Sequence, residues 1–190
     1  MKTKMFYVLP VLIFIGFIFF TATENPPSEI GSDPKYVGVN SCVGACHKTE
    51  SQGSQLSIWE SSKHANAFKV LQTDEANKIA EGKGFTTPAA ETPECLKCHT
   101  LGKTADASTF EETFDITQGV QCESCHGAGS EYKKLSIMKD KQKSIDAGLQ
   151  VHSEGEAFCT GCHNSESPTF KGFNYAEMWD KIKHPKPVSE

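Results

Sequence analysis

The pattern Cys-x-x-Cys-His constrains this chain more than any other feature of its sequence. The regular copies are 95–99 (CLKCH), 122–126 (CESCH) and 159–163 (CTGCH), and a variant with three intervening residues contains Cys42, Cys46 and His47. In one helical turn, residues three and four positions apart lie on the same face. Two thiols can then bond the vinyl groups of one haem while the adjacent imidazole binds its iron, which is the attachment pattern of c-type haem.

We therefore expect four covalently bound c-type haems. The thioether cysteines are Cys42, Cys46, Cys95, Cys98, Cys122, Cys125, Cys159 and Cys162. The proximal iron ligands are His47, His99, His126 and His163. We number these sites one to four along the chain. Zinc sites and disulfides also use paired cysteines in exported proteins, but neither requires a histidine directly after every second cysteine.

The first site has one extra residue between its cysteines. The alternative to haem attachment at Cys42 and Cys46 is a disulfide or two free thiols. With the cysteines four apart, both still lie on one helical face, but the histidine moves a further ~100° around the helix. A local distortion among Val43, Gly44 and Ala45 can absorb this change, since glycine tolerates unusual backbone angles. We expect this site to hold haem as well.

The seven histidines cannot fill both axial positions of four irons, which would need eight. After the proximal ligands are assigned, the distal candidates are His64, His152 and His184. At least one iron must take another ligand or stay open. Met138 is a possible alternative axial ligand, as is a lysine. Bis-histidine ligation favours a low reduction potential, and methionine ligation raises it.

The N-terminus predicts export. Residues 1–23 contain Lys2, Lys4 and about sixteen apolar residues, which is typical of a signal peptide or of an uncleaved membrane anchor. Residues 24–36 read as a Pro- and Ser-containing linker, and residues 37–190 as the tetrahaem cytochrome c domain. We expect the protein in the periplasm or at the outer face of the cytoplasmic membrane, with membrane contact only through an uncleaved N-terminal segment.

The expected fold class is mostly α with long loops and little β, wrapped around four closely packed haems that supply most of the apolar core. Helices are predicted at 57–71, 73–82, 130–140 and 174–183. Thr73 is a candidate cap for the second of these helices, and Thr92 and Pro93 suit the start of the turn that contains Cys95.

The charge pattern bears on partners. The chain has a net charge of −5, all its cationic side chains are lysines, and it has no basic patch interleaved with aromatic residues. These features exclude nucleic-acid binding. They favour redox partner proteins with a basic docking patch, which an acidic surface would attract. The absence of arginine also disfavours bidentate binding of nitrite.

The four motifs, together with 59–65 (WESSKHA) and 119–130 (GVQCESCHGAGS), resemble the tetrahaem cytochrome c-554 type of multihaem family over about residues 37–184. The resemblance implies a mostly helical chain around stacked haems that carries electrons in the periplasm. It also implies three bis-histidine haems and an open iron at the second site, held by Cys95, Cys98 and His99. The expected pairs are His64 with the third-site haem, His152 with the first and His184 with the fourth.

Two departures from this resemblance concern the ligands. The first site has its longer cysteine spacing, and Tyr132 stands where relatives often have a histidine after the third motif.

Taken together, the sequence features predict an electron carrier with no catalytic residues. The alternative is a reductase of nitric oxide, nitrite or hydroxylamine that acts at one five-coordinate haem.

Overall fold

In the computed structural model, the described residues are 33–44, 46–101, 106–152 and 155–184. The predicted leader 1–23 and most of the predicted linker lie outside these ranges, so the expected domain boundaries stay predictions. Within the ranges, no helix combines the length and the apolar character that a membrane crossing requires.

Short α-helices joined by turns and loops make up the described chain, which confirms the mostly α fold class. They are α1 Val39–Cys42, α2 Gln55–Glu60, α3 Ala67–Leu71, α4 Asp74–Gly82, α5 Pro93–His99, α6 Cys122–His126, α7 Leu135–Met138, α8 Lys141–Asp146, α9 Glu156–Cys159 and α10 Tyr175–Ile182. Single 3-10 turns lie at Glu50–Gln52, Ala89–Glu91, Ala107–Thr109 and Ile116–Gln118. The described residues contain no β-strand, and Tyr36 and Phe110 form an isolated parallel bridge.

Two predicted helices are confirmed, the first of them with its predicted cap. Helix α4 begins after Thr73, whose hydroxyl accepts a hydrogen bond from the Ala76 amide at 3.2 Å. Helix α10 begins after Asn174, whose side chain accepts from the Glu177 amide at 3.3 Å. Each cap satisfies an amide that has no partner within its helix.

Two other predictions were too long. The predicted helix 57–71 is interrupted by turns at 61–66, which separate α2 from α3. Within this interruption, the His64 carbonyl accepts a hydrogen bond from the Val120 amide at 3.0 Å instead of serving a helix. The predicted helix 130–140 is confined to Leu135–Met138. Long-range contacts override the local helical pattern at such places.

The apolar core that the polypeptide forms by itself is small. Leu71, Ala76, Ala80 and Ala89 are buried together, and Leu96 of α5 packs against them. This cluster fixes the second haem motif against α3 and α4. Several large apolar side chains elsewhere are exposed, including Phe158, which is 44% exposed directly before Cys159. A core of this size needs a further source of apolar burial.

Candidate haem sites

The second and third motifs lie entirely within helices. Helix α5 begins at Pro93 and ends at His99, and α6 comprises Cys122–His126. Thr92 precedes α5 as expected, but its hydroxyl donates to the Pro88 carbonyl at 2.9 Å and does not cap the helix. In both motifs the two cysteines and the histidine therefore share one helical face.

The fourth motif completes its turn beyond the end of a helix. Helix α9 ends at Cys159, and the amides of Cys162 and His163 both donate to the Cys159 carbonyl, at 3.1 and 3.0 Å. These bonds continue the helical path through the motif. All three regular motifs thus have the local geometry that the sequence predicts.

The first site has a different geometry. Helix α1 ends at Cys42, and Val43 caps it with its amide bonded to the Val39 carbonyl at 3.0 Å. Cys46 and His47 lie in the turn that follows, so the expected helical face does not extend from Cys42 to Cys46. Gly44 has no heavy atom within 4 Å of an ideal Cβ position, which leaves room for this bend. Ala45, the third residue of the expected distortion, lies outside the described residues.

The cysteines do not support the rival assignments. No disulfide joins the two cysteines of any motif. Among the described residues, no cluster of three or more potential ligands is arranged to hold a metal ion by itself. Burial raises the pKa of the Cys125 thiol to about 11. The Cys42 and Cys122 thiols are neighbours, and their interaction together with burial raises the pKa of Cys42. The first and third attachment segments therefore meet.

In two pairs of histidines, the two imidazole rings of each pair lie opposite each other. The ring centres of His64 and His163 are 6.0 Å apart, and those of His126 and His184 are 5.9 Å apart. Two imidazoles that bind one metal ion from opposite sides, with metal–nitrogen distances of about 2.0 Å, have ring centres about 6 Å apart. The spacing in both pairs fits an iron between the rings.

The protonation of these rings also fits iron binding. Burial lowers the pKa of His64, His126, His163 and His184, and in His64 the charge of His163 lowers it further. A lowered pKa keeps an imidazole neutral near pH 7, and only the neutral form binds a metal.

Backbone carbonyls orient two of the proximal histidines. The Nδ1 atom of His99 donates to the Ala67 carbonyl at 2.8 Å, and Nδ1 of His126 donates to the Gln150 carbonyl at 2.9 Å. A hydrogen bond at Nδ1 fixes the ring orientation and leaves Nε2 for the metal. The sequence motif alone did not identify Ala67 or Gln150, because neither contributes its side chain to the contact.

The ring contacts differ from the expected distal pairs. His64 lies opposite His163 of the fourth site and not His126, and His184 lies opposite His126 of the third site and not His163. His152, expected at the first site, has its ring centre 6.5 Å from that of His126. These separations in sequence exceed anything that local patterns encode, so the pairing depends on tertiary structure.

His152 has other contacts in this arrangement. Its Nε2 atom donates to the Cys125 carbonyl, and its ring packs on that of Phe158 with the centres 4.2 Å apart. Met138 ends α7, and its sulfur accepts a weak hydrogen bond from Ser144 at 3.9 Å. Among the described residues, no other histidine ring is in ring contact with His47 or His99. Axial ligation by His152 or Met138 stays a prediction.

The segment before the third motif positions His64. The Trp59 indole donates to the Val120 carbonyl at 2.8 Å, and the Val120 amide donates to the His64 carbonyl at 3.0 Å. Gly119 permits this approach, since it has φ +76° and a Cβ built on it would lie 2.5 Å from the His64 carbonyl oxygen. The residues shared with the c-554 type family in 59–65 and 119–130 therefore meet in space.

Comparison with known proteins agrees with these sites. The family model described as cytochrome c554 and c-prime matches residues 41–127, which contain the first three motifs. The chain is 28% identical to cytochrome c-554 of Nitrosomonas europaea over 167 residues, covering 80% of this chain and 67% of that protein. It is 26% identical to the C-type polyheme cytochrome OmcC of Geobacter sulfurreducens over 109 residues, covering 52% of this chain and 13% of OmcC. No solved structure matches. The chain therefore resembles c-554-like multihaem cytochromes, and the match to the family model covers its first three motifs.

Proposed function

We propose that this protein is an exported tetrahaem electron carrier that passes single electrons between redox partners in the periplasm. The observation that carries the proposal is the spacing of the facing imidazoles, 6.0 Å for His64 and His163 and 5.9 Å for His126 and His184. Each pair joins a histidine of a haem motif to a histidine far away in sequence. Bis-histidine iron exchanges electrons without a free coordination position, which suits a carrier.

The contact between Cys42 and Cys122 supports transfer within the chain. These cysteines would hold the haems of the first and third sites, and their thiols are close enough for each to shift the pKa of the other. The covalent haems supply iron that cycles between two oxidation states. The polypeptide positions the attachment points close together and brings the candidate ligand rings into two pairs.

Intact-mass spectrometry of the mature protein tests the haem count. The wild-type protein should carry four haems, and replacing both cysteines of any one motif with alanine should remove one. The variant Cys42→Ala/Cys46→Ala is decisive, because the first site has the irregular spacing, and Cys159→Ala/Cys162→Ala is its matched control at a regular site. A wild-type mass with three haems, unchanged in the Cys42→Ala/Cys46→Ala variant, would contradict the tetrahaem assignment.

A second candidate function is reduction of nitric oxide, nitrite or hydroxylamine at a five-coordinate iron. It is favoured by His47 and His99, whose rings contact no other histidine ring in the described part of the chain. Absorption and electron paramagnetic resonance spectra with and without carbon monoxide distinguish the two. Irons that are all low-spin and inert to carbon monoxide and nitric oxide would refute the reductase.

A further inference from the structure

Glu123 is a buried carboxylate inside the third haem motif that the proposed function does not use. It follows Cys122 in the sequence and is only 2% exposed. Its Oε1 atom accepts hydrogen bonds from the amides of Val37 at 2.9 Å and Gly129 at 2.7 Å. Its Oε2 atom accepts from the amides of Val37 at 3.0 Å and Gly38 at 2.8 Å.

All four contacts come from backbone amides. Amides that donate to a carboxylate stabilise its negative charge. In the described part of the chain, no lysine forms a salt bridge with Glu123. The result is a buried negative charge that is compensated by amide dipoles and not by a cation.

The charge lies where two haem-attachment segments meet. Val37 and Gly38 directly precede α1, which ends at Cys42 of the first site, while Glu123 belongs to α6 of the third site. The thiols of Cys42 and Cys122 contact each other at the same junction. Gly129 must be glycine for this packing, since a Cβ built on it would lie 2.9 Å from Oε1 of Glu123.

We infer that Glu123 is a positioning residue whose buried charge clamps the first attachment segment to the third and lowers the reduction potentials of the haems held there. This inference rests on the proposed function, because it requires haem at these two sites. Reduction adds an electron to the iron, and a nearby negative charge opposes that addition. The opposition is strong inside a protein, where the effective dielectric constant is low, and buried charge is one of the determinants of haem potential.

Spectroelectrochemical titration of the holoprotein tests the charge. Glu123→Gln keeps the size of the side chain and removes its charge. We expect the equilibrium constant for reduction at one or both of these haems to rise at least tenfold, a shift of about +59 mV for a one-electron couple. The matched control is Glu94→Gln, which removes an exposed carboxylate directly before Cys95. Because water screens this charge, the equilibrium constant for reduction of each haem should change less than about twofold. Unchanged potentials in a Glu123→Gln protein that retains its haems would overturn the inference.

Glu123→Asp separates charge from position. It keeps the charge but shortens the side chain, so the melting temperature should fall. The equilibrium constants for reduction should stay within about twofold of the wild-type values. A shift in Glu123→Asp as large as that in Glu123→Gln would show that distortion, and not charge, sets the potential.

The wild-type protein provides a test if Glu123→Gln does not retain its haems. Salt shortens the reach of exposed charges from about 30 Å at 0.01 M to about 3 Å at 1 M, but it does not screen a buried one. The potentials of the haems at the first and third sites should therefore change little between low and high salt, and a large rise in both at high salt would overturn the inference. Haem mass keeps the two proposals apart. A wild-type protein that lacks the second or fourth haem contradicts the tetrahaem assignment and leaves the Glu123 measurement intact.

Discussion

The pairing of His64 with His163 makes a sharp prediction for the variant His64→Ala. Loss of the imidazole leaves the fourth-site iron with His163 as its single histidine ligand. The backbone should be preserved, because the contact of residue 64 with Val120 uses its carbonyl oxygen and not its side chain. The variant should therefore fold and retain its haems while one iron becomes accessible to an external ligand.

The size of the effect follows from the ring geometry. The 6.0 Å between the two ring centres fits one iron and its two bonds, so removing one ring should open one coordination position. Titration with carbon monoxide should show about one additional molecule bound per protein relative to wild type, and roughly a quarter of the haem should change from low to high spin. Absorption spectra measure the first quantity, and electron paramagnetic resonance measures the second.

Two comparisons make the reasoning refutable. The variant His152→Ala is one comparison: unchanged carbon monoxide binding would agree with the hydrogen bond from Nε2 of His152 to the Cys125 carbonyl, and additional binding would agree with the axial ligation predicted from the sequence. In His64→Ala, the additional binding should disappear when Cys159 and Cys162 are also replaced with alanine. If it disappears instead when Cys122 and Cys125 are replaced, His64 belongs to the third site and the pairing derived from the structure is wrong.

Three further predictions concern stability and association. Tyr132→Phe removes hydrogen bonds that the hydroxyl donates to the carbonyls of His126 at 3.2 Å and Gly127 at 2.7 Å. The free energy of unfolding should fall by about 1–2 kcal/mol, which lowers the melting temperature by about 2–8 °C. The loss should exceed that in Tyr175→Phe, because the Tyr175 hydroxyl only accepts a hydrogen bond from one exposed amide. Hydrogen bonds from the α8 amides, that of Lys143 first, lower the pKa of Asp140. This cap therefore stabilises the fold above the ordinary Asp pKa of about 3.9, and its contribution is lost as pH falls through the lower pKa of the folded state. The melting temperatures of Asp140→Ala and wild type should converge on acidification, and a constant difference would contradict this. With a net charge of −5, association with a basic redox partner should slow as ionic strength rises, and a salt-independent stopped-flow rate would refute electrostatic docking.

The haem motifs were readable because c-type attachment is a local requirement. Two thiols and an imidazole must share one turn, so the spacing in 95–99, 122–126 and 159–163 encodes the geometry that α5, α6 and the turn after α9 adopt. The cap of α4 was predictable for the same reason, since Thr73 accepts from an amide three residues away. Helix 57–71 was not, because the contacts of residues 59 and 64 with Val120 compete with the helical pattern.

The residues that complete the sites come from distant parts of the chain. His64 and His163 are about a hundred positions apart, and no periodicity relates them, so the pair expected from the sequence differs from the rings that lie together in the structure. Glu123 is an ordinary x position of Cys-x-x-Cys-His, and the burial of its carboxylate against the amides of Val37 and Gly38 has no local signature. The close approach at Gly119 was equally hidden, although the glycine itself is visible in the sequence.

The sequence by itself determined the chemistry of this protein: covalent c-type haem, the cysteines and proximal histidines expected to hold it, and a mostly helical chain with little core of its own. These properties depend on residues within one helical turn or on composition. Only the tertiary structure decided which histidine faces which, which carbonyls orient the rings, and where a buried negative charge lies between the first and third sites. Those contacts join segments tens of residues apart, and their free energy depends on burial and distance in the folded chain.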